Sequence, residues 1–233
     1  MSKNDSVHNT KSKSIDKKVP LWLWLLGLMT AIGPLTIDMY LPSFPAISAD
    51  LQVPQHRVEL TVSTYLLGLA LSQLFYGPIA DRYGRKKPLL GGLMIYMVAT
   101  IGCALASSVE YLLFFRCIQA CGAAAAMVIP RAAIRDQLNT RDSAMAMSMM
   151  MLIMGVAPIL APLMGGYLSP VTGWRGLFAV MLFYSAIMFV LAIFRLRKTM
   201  PPEKAVPLHL RTIAKNYASL LRDRNYMGFS LAG

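Results

Sequence analysis

Charge is the first scarcity in this chain. Only 15 % of its 233 residues are charged, and acidic residues number 11. A soluble domain carries roughly 25 % charged residues to cover its outside, so a water-facing exterior is excluded. Cysteine and histidine are equally sparse, at 3 each. Cys103, Cys117 and Cys121 have no metal-ligand spacing, and the last two stand one helical turn apart, too far for a relaxed disulfide. His8, His56 and His209 are scattered along the chain. A disulfide scaffold and a zinc module are both excluded. The apolar stretches lack the period-2 alternation of transmembrane barrel strands. There is no cleavable signal either: the first apolar run is too long for a signal peptide, and no small-x-small site follows it promptly. The first helix is expected to be an uncleaved anchor.

What remains is apolar. Residues of that kind make up 56 % of the chain, with a mean hydropathy of +0.51. A run of about 20 such residues crosses the hydrocarbon core as a helix. Six are predicted, at 21–44, 58–79, 88–107, 111–130, 144–168 and 174–194. The fold class is therefore an all-α membrane protein. Of the 23 Lys and Arg residues, 20 fall in the tail, the loops at 81–87 and 131–142, and the segment 195–224. Only Arg57 and Arg175 lie in the alternate loops. Positive charge stays cytoplasmic, which places the N-terminus and the 195–224 segment on that side. It also accounts for the net charge of +12 without nucleic acid.

The expected organisation is a cytoplasmic tail over 1–20, a six-helix bundle over 21–196, a linker over 197–224, and the start of a truncated seventh span over 225–233. Pro201, Pro202 and Pro207 break the sixth helix. Beyond them Leu210, Ile213, Ala214, Tyr217, Leu220 and Leu221 repeat at helical spacing, as in an amphipathic helix lying on the membrane face.

Ionisable groups inside the spans draw attention because each costs about 2.5–3.5 kcal/mol there on insertion scales. Two stand out. Asp38 lies in the first span, where desolvation penalises the charged carboxylate; it would take up and release a proton, or balance a cationic substrate. Arg116 lies in the fourth and stays charged, available to a carboxylate, a carbonyl or an anionic group. The bland alternatives are a hydrated, inert carboxylate and a purely structural pin between helices.

The loop after the second span reads Gly77-Pro78-Ile79-Ala80-Asp81-Arg82-Tyr83-Gly84-Arg85-Lys86-Lys87. It is a helix end, a glycine turn and a cationic cluster suited to anionic headgroups. Its spacing, at Gly77, Asp81, Arg82, Gly84, Arg85 and Lys86, resembles the signature loop of the major facilitator superfamily. That resemblance implies a conformational latch that docks the second helix on the eleventh. Arg116-x-x-Gln119-x-x-Gly122 is similar to the family's proton-coupling motif in the fourth helix. Gly155, Pro158, Pro162, Gly165 and Gly166 resemble the antiporter motif of the fifth, with Ala161 where the family commonly has glycine. Small residues at 157, 161 and 165 share one face of that helix and allow close approach.

With Asp38-Met39-Tyr40-Leu41-Pro42, these features look most like the Bcr/CflA branch of drug/proton antiporters. The resemblance implies the amino-terminal six-helix bundle of a major facilitator fold in a bacterial inner membrane. The proton gradient would drive it, without a cofactor. Its partners would be protons, a hydrophobic or amphiphilic small molecule, the lipid bilayer and a missing carboxy-terminal half. Asp38, Arg116 and Gln119 would line the cavity. The alternatives are a carrier of the same fold for a metabolite, sugar or siderophore, and a non-transporting fragment or partner subunit. No enzyme is indicated.

Overall fold

The computed structural model describes residues 21–196. The tail, the linker with its expected amphipathic helix, and the seventh apolar stretch lie outside the described residues. Within them the chain is helical throughout: α1 (Leu21–Thr30), α2 (Ile32–Asp38), a 3-10 turn (Leu41–Ser43), α3 (Phe44–Asp50), α4 (Gln55–Tyr83), α5 (Lys86–Ala104), α6 (Val109–Gln137) and α7 (Thr140–Arg195).

The first span differs from its expectation. Instead of one helix ending at residue 44, α1, α2, the turn and α3 form a 30-residue segment, Leu21–Asp50, interrupted twice. Proline explains both interruptions. Pro34 has no N–H to give the Thr30 carbonyl, and the chain tightens at Ala31, whose N–H turns to Leu28 O at 3.1 Å. Pro42 likewise leaves the Asp38 carbonyl without a donor. Just ahead of it, Tyr40 N–H bonds Ile37 O at 3.3 Å, so the Thr36 carbonyl also loses its helical partner.

The fifth and sixth spans are the two arms of α7. Unbroken, its 56 residues would reach roughly 84 Å, against a hydrocarbon core of about 30 Å. Gly173, at φ 69° and ψ 170°, folds it back. The first arm runs alongside the first span, with Ile153 beside Gly27 and Gly165 beside Met39. The second returns, with Arg175 on Asp50, Tyr184 on the Leu28 carbonyl and Lys86 on the Ile193 carbonyl. The six expected spans are therefore all present among the described residues.

Helix α6 occupies the middle, packed on α4 and α5 and touching α1, α2 and α7. Its row of Ala120, Ala123, Ala124, Ala125 and Ala126 is fully buried. Small side chains let backbones approach, which is how helices associate where lipid is as apolar as the core. At Gly122 the helices come so close that a β-carbon would overlap the Tyr96 amide and the Gly92 carbonyl of α5. Leu67 on α4 and Met151, Leu163 and Tyr167 on α7 face outward instead, each more than half exposed. Helix α6 also runs through Pro130 to Gln137, further than its apolar run predicts.

Candidate functional site

Arg116 is fully buried at the centre of the bundle. Its Nη1 donates to Gln119 Oε1 at 2.9 Å, one turn along α6. Both Nη atoms reach across to the freed Thr36 carbonyl of α2, at 3.3 and 3.4 Å. Aromatic rings close the rest: the guanidinium carbon lies 4.5 Å from the Tyr40 ring centre, 4.6 Å from Tyr65 and 6.0 Å from Phe178. Stacking of this kind suits a delocalised cation. Among the described residues no carboxylate forms an ion pair with Arg116, and its Nε has no hydrogen-bond partner.

The polar contacts continue past Gln119, which is itself fully buried. Its Nε2 donates to Thr100 Oγ1 of α5 at 2.8 Å, and Thr100 donates to the Tyr96 carbonyl at 2.7 Å. The Tyr96 hydroxyl meets Thr36 Oγ1 at 2.6 Å. The chain of bonds thus returns to the residue that holds Arg116. Thr36, Tyr96 and Thr100 carry no charge and read as ordinary members of apolar runs, so hydropathy passes over them. The available signal was their polar atoms at mid-span.

Asp38 ends α2 and is partly buried. Among the described residues its carboxylate forms no ion pair or hydrogen bond, so the structure does not pair it with Arg116. Because the span continues to Asp50, Asp38 sits nearer its middle than an end at residue 44 implies. It stands two residues from the carbonyl that Arg116 holds.

The basic loop divides by function. Gly84 takes φ 77°, a backbone that a side chain disfavours, and so turns α4 into α5. Arg85 bonds Asp81 at 2.8 Å and Asp136 of α6 at 2.7 Å. Burial lowers the Arg85 pKa, but the two carboxylates outweigh it and hold the group above the ordinary arginine value. Lys86 Nζ donates to the Ile193 and Leu196 carbonyls at 2.6 and 2.8 Å, capping the end of α7 where the helix dipole is negative. Arg82 stays local, 5.5 Å from the Tyr83 ring centre, and Gly77 has open space where a side chain would stand. Asp136 and the α7 carbonyls are partners that sequence reasoning did not identify.

The fifth-helix motif splits by face. Ala157, Ala161 and Gly165 are buried. Gly165 lies against the Met39 carbonyl, and one turn on Ser43 Oγ donates to Ser169 Oγ at 2.9 Å. Pro158, Gly155 and Gly166 are exposed, and the two glycines have nothing within van der Waals reach of a β-carbon. Pro162 is half-buried. Neither proline breaks the helix. The motif therefore does not gather at Arg116; it grips the broken first span from one side.

At the opposite end from Arg85, Asp50 accepts from Arg175 at 2.6 Å and from Trp174 Nε1 at 3.2 Å. Arg175 also bonds the Ala106 carbonyl at 2.9 Å. Arg57 pairs with Glu110 at 2.7 Å. The only two basic residues expected outside are thus spent on tying span ends together. Among the described residues, no three His, Cys, Asp or Glu side chains gather as a metal would require.

Comparison with known proteins bears on this geometry. The family model of the Major Facilitator Superfamily matches residues 26–233. The chain is 39 % identical over 210 residues to an uncharacterized MFS-type transporter, YdgK, of Bacillus subtilis, covering 89 % of this chain and 52 % of the relative. It is 31 % identical to a bicyclomycin resistance protein homolog of Haemophilus influenzae, over 93 % of this chain and 54 % of that protein. A chloramphenicol resistance protein of Pseudomonas aeruginosa is 38 % identical over 66 % of this chain and 37 % of its own length. The chain spans about half the length of the curated relatives it matches.

Proposed function

The chain belongs to the major facilitator superfamily, on its Bcr/CflA-type branch, and from that premise we propose that it supplies the amino-terminal half of a proton-coupled exporter of small amphiphilic molecules. The observation that carries this reading is the buried Arg116 guanidinium, held to the Thr36 carbonyl of α2, the helix that Asp38 ends, with no carboxylate paired to it among the described residues. Arg116 stays charged whatever the pH, which leaves Asp38, on the same helix as its Thr36 partner, as the group that takes up and releases the proton. Proton binding at Asp38 competes with substrate, and rocking of two halves exposes the site to either side of the membrane. The proton gradient supplies the energy.

The cargo is a drug-like hydrophobic or amphiphilic molecule, a reading supported by relatives named for bicyclomycin, chloramphenicol and multidrug resistance. The membrane is the inner one of a bacterium, with the Arg85 end facing the cytoplasm, a reading supported by the lysine and arginine distribution. Gly77, which has open space beside it, Asp81, which is exposed though paired with Arg85, and Arg82 form the part of the loop that latches on the other half.

The test is energy-dependent extrusion of chloramphenicol from an efflux-deficient bacterium. The chain is expressed alone and joined to the carboxy-terminal half of the Bacillus relative. The joined carrier is expected to extrude drug in exchange for protons entering down the pH gradient, and to stop on Asp38→Asn. Undiminished extrusion in that variant would exclude Asp38 from the coupling.

A further inference from the structure

The bonds around Arg116 form a closed circuit, and each donor in it is determined. Thr100 has one hydroxyl hydrogen, and it goes to the Tyr96 carbonyl. Thr100 must then accept from Gln119 Nε2, which fixes the amide and leaves its oxygen for Arg116. Thr36 likewise spends its hydroxyl hydrogen on the Ile32 carbonyl, at 2.5 Å. Tyr96 is therefore the donor to Thr36, and Thr36 offers its carbonyl to both Nη atoms. Arg116, Gln119, Thr100 and Thr36 are wholly buried and Tyr96 is 2 % exposed. No bulk water reaches the circuit to replace a lost bond, and in such surroundings each bond strengthens its neighbours.

We propose that Thr100 and Tyr96 of α5 are positioning residues for the Arg116 guanidinium, acting through Gln119 on one side and Thr36 on the other. Neither hydrogen-bonds Arg116 itself. Helix α5 nonetheless sets both acceptors that hold the cation, so a shift of α2 against α5 moves the charge. For transport this rests on the reading of Arg116 as the charged centre of the exporter; the positioning itself does not.

The full chain in lipid nanodiscs, labelled with 15N-arginine, reads the guanidinium directly. The Arg116 signal is identified by its loss in Arg116→Lys. Tyr96→Phe removes one oxygen and keeps the ring; Thr100→Val removes the hydroxyl and keeps the volume. Each is expected to displace the Arg116 signal and to speed exchange of its Nη hydrogens about tenfold, while Thr100→Ser leaves both as they were. A signal unmoved in Tyr96→Phe and Thr100→Val overturns the proposal. Should Thr100→Val fail to fold, Tyr96→Phe decides. Extrusion by the joined carrier is measured in parallel. A displaced signal in a carrier that never extruded drug would sink the exporter reading and leave the positioning intact.

Discussion

Gly165 of α7 lies against the carbonyl oxygen of Met39, the residue directly after Asp38, so closely that a β-carbon there would overlap it. The contact is backbone on backbone, which no side-chain rotation relieves. Gly165→Ala is therefore expected to cost about 1–3 kcal/mol, as overpacking does, seen as earlier thermal unfolding of the purified chain in detergent. Gly155→Ala and Gly166→Ala, in the same helix but with open space around them, are expected to be neutral or stabilising by about 0.5–1 kcal/mol through helix propensity. Equal losses at all three positions would mean that the motif acts through the helix itself and not through its grip on the first span.

Arg116→Met separates chemistry from packing. Among the described residues the guanidinium has no carboxylate partner and an unsatisfied Nε, while methionine fills similar space among Tyr40, Tyr65 and Phe178. Loss of the guanidinium strands Gln119 Oε1 and the Thr36 carbonyl, two buried acceptors, at about 1–3 kcal/mol. The expected outcome is a modest fall in the unfolding temperature, with extrusion lost. A large fall in stability would make Arg116 a structural pin.

The limits of the sequence are instructive at particular residues. Apolar runs located every span, and lysine and arginine ordered the loops. The small-residue face of the fifth span was legible because its spacing is local, and Ala157, Ala161 and Gly165 are buried together. What that face meets was not legible, since the Met39 carbonyl arrives from residues far away in the chain. The breaks in the first span were marked by Pro34 and Pro42, but a hydropathy window averages over single prolines. Arg116 announced itself by its charge. Thr36, Tyr96 and Thr100 did not, because an uncharged hydroxyl costs little on a hydropathy scale and acquires its meaning only when two helices bring partners together.

Two turns depend on glycine for a different reason. Gly84 and Gly173 hold φ at 77° and 69° with ψ at 164° and 170°, a region essentially reserved for glycine. Alanine at either is expected to cost about 1–3 kcal/mol, although Gly173 has nothing nearby for a β-carbon to strike. Gly77→Ala, a helical position in open space, is the control and should cost nothing. The same unfolding assay checks all three, and a neutral Gly173→Ala would show that the two arms of α7 fold back without glycine.

The Arg85–Asp136 bridge is the firmest ion pair at its end of the bundle, and its strength can be bounded. Arg85 is 15 % exposed and Asp136 38 %, so solvent screens the pair in part and a coupling of about 1 kcal/mol is expected, the upper end for pairs near a surface. A double-mutant cycle with Arg85→Gln and Asp136→Asn measures it from unfolding of the chain in detergent. Arg85 uses Nε toward Asp136 and Nη1 toward Asp81. Lysine offers a single point charge in place of that fork, so Arg85→Lys should keep less than half of the coupling. Raising the ionic strength toward 1 M shortens the Debye length to about 3 Å and should erode the exposed Asp81 arm before the Asp136 arm. A cycle that closes to zero at low salt would mean that the α4–α5 turn and α6 are held at this end by their packed side chains alone.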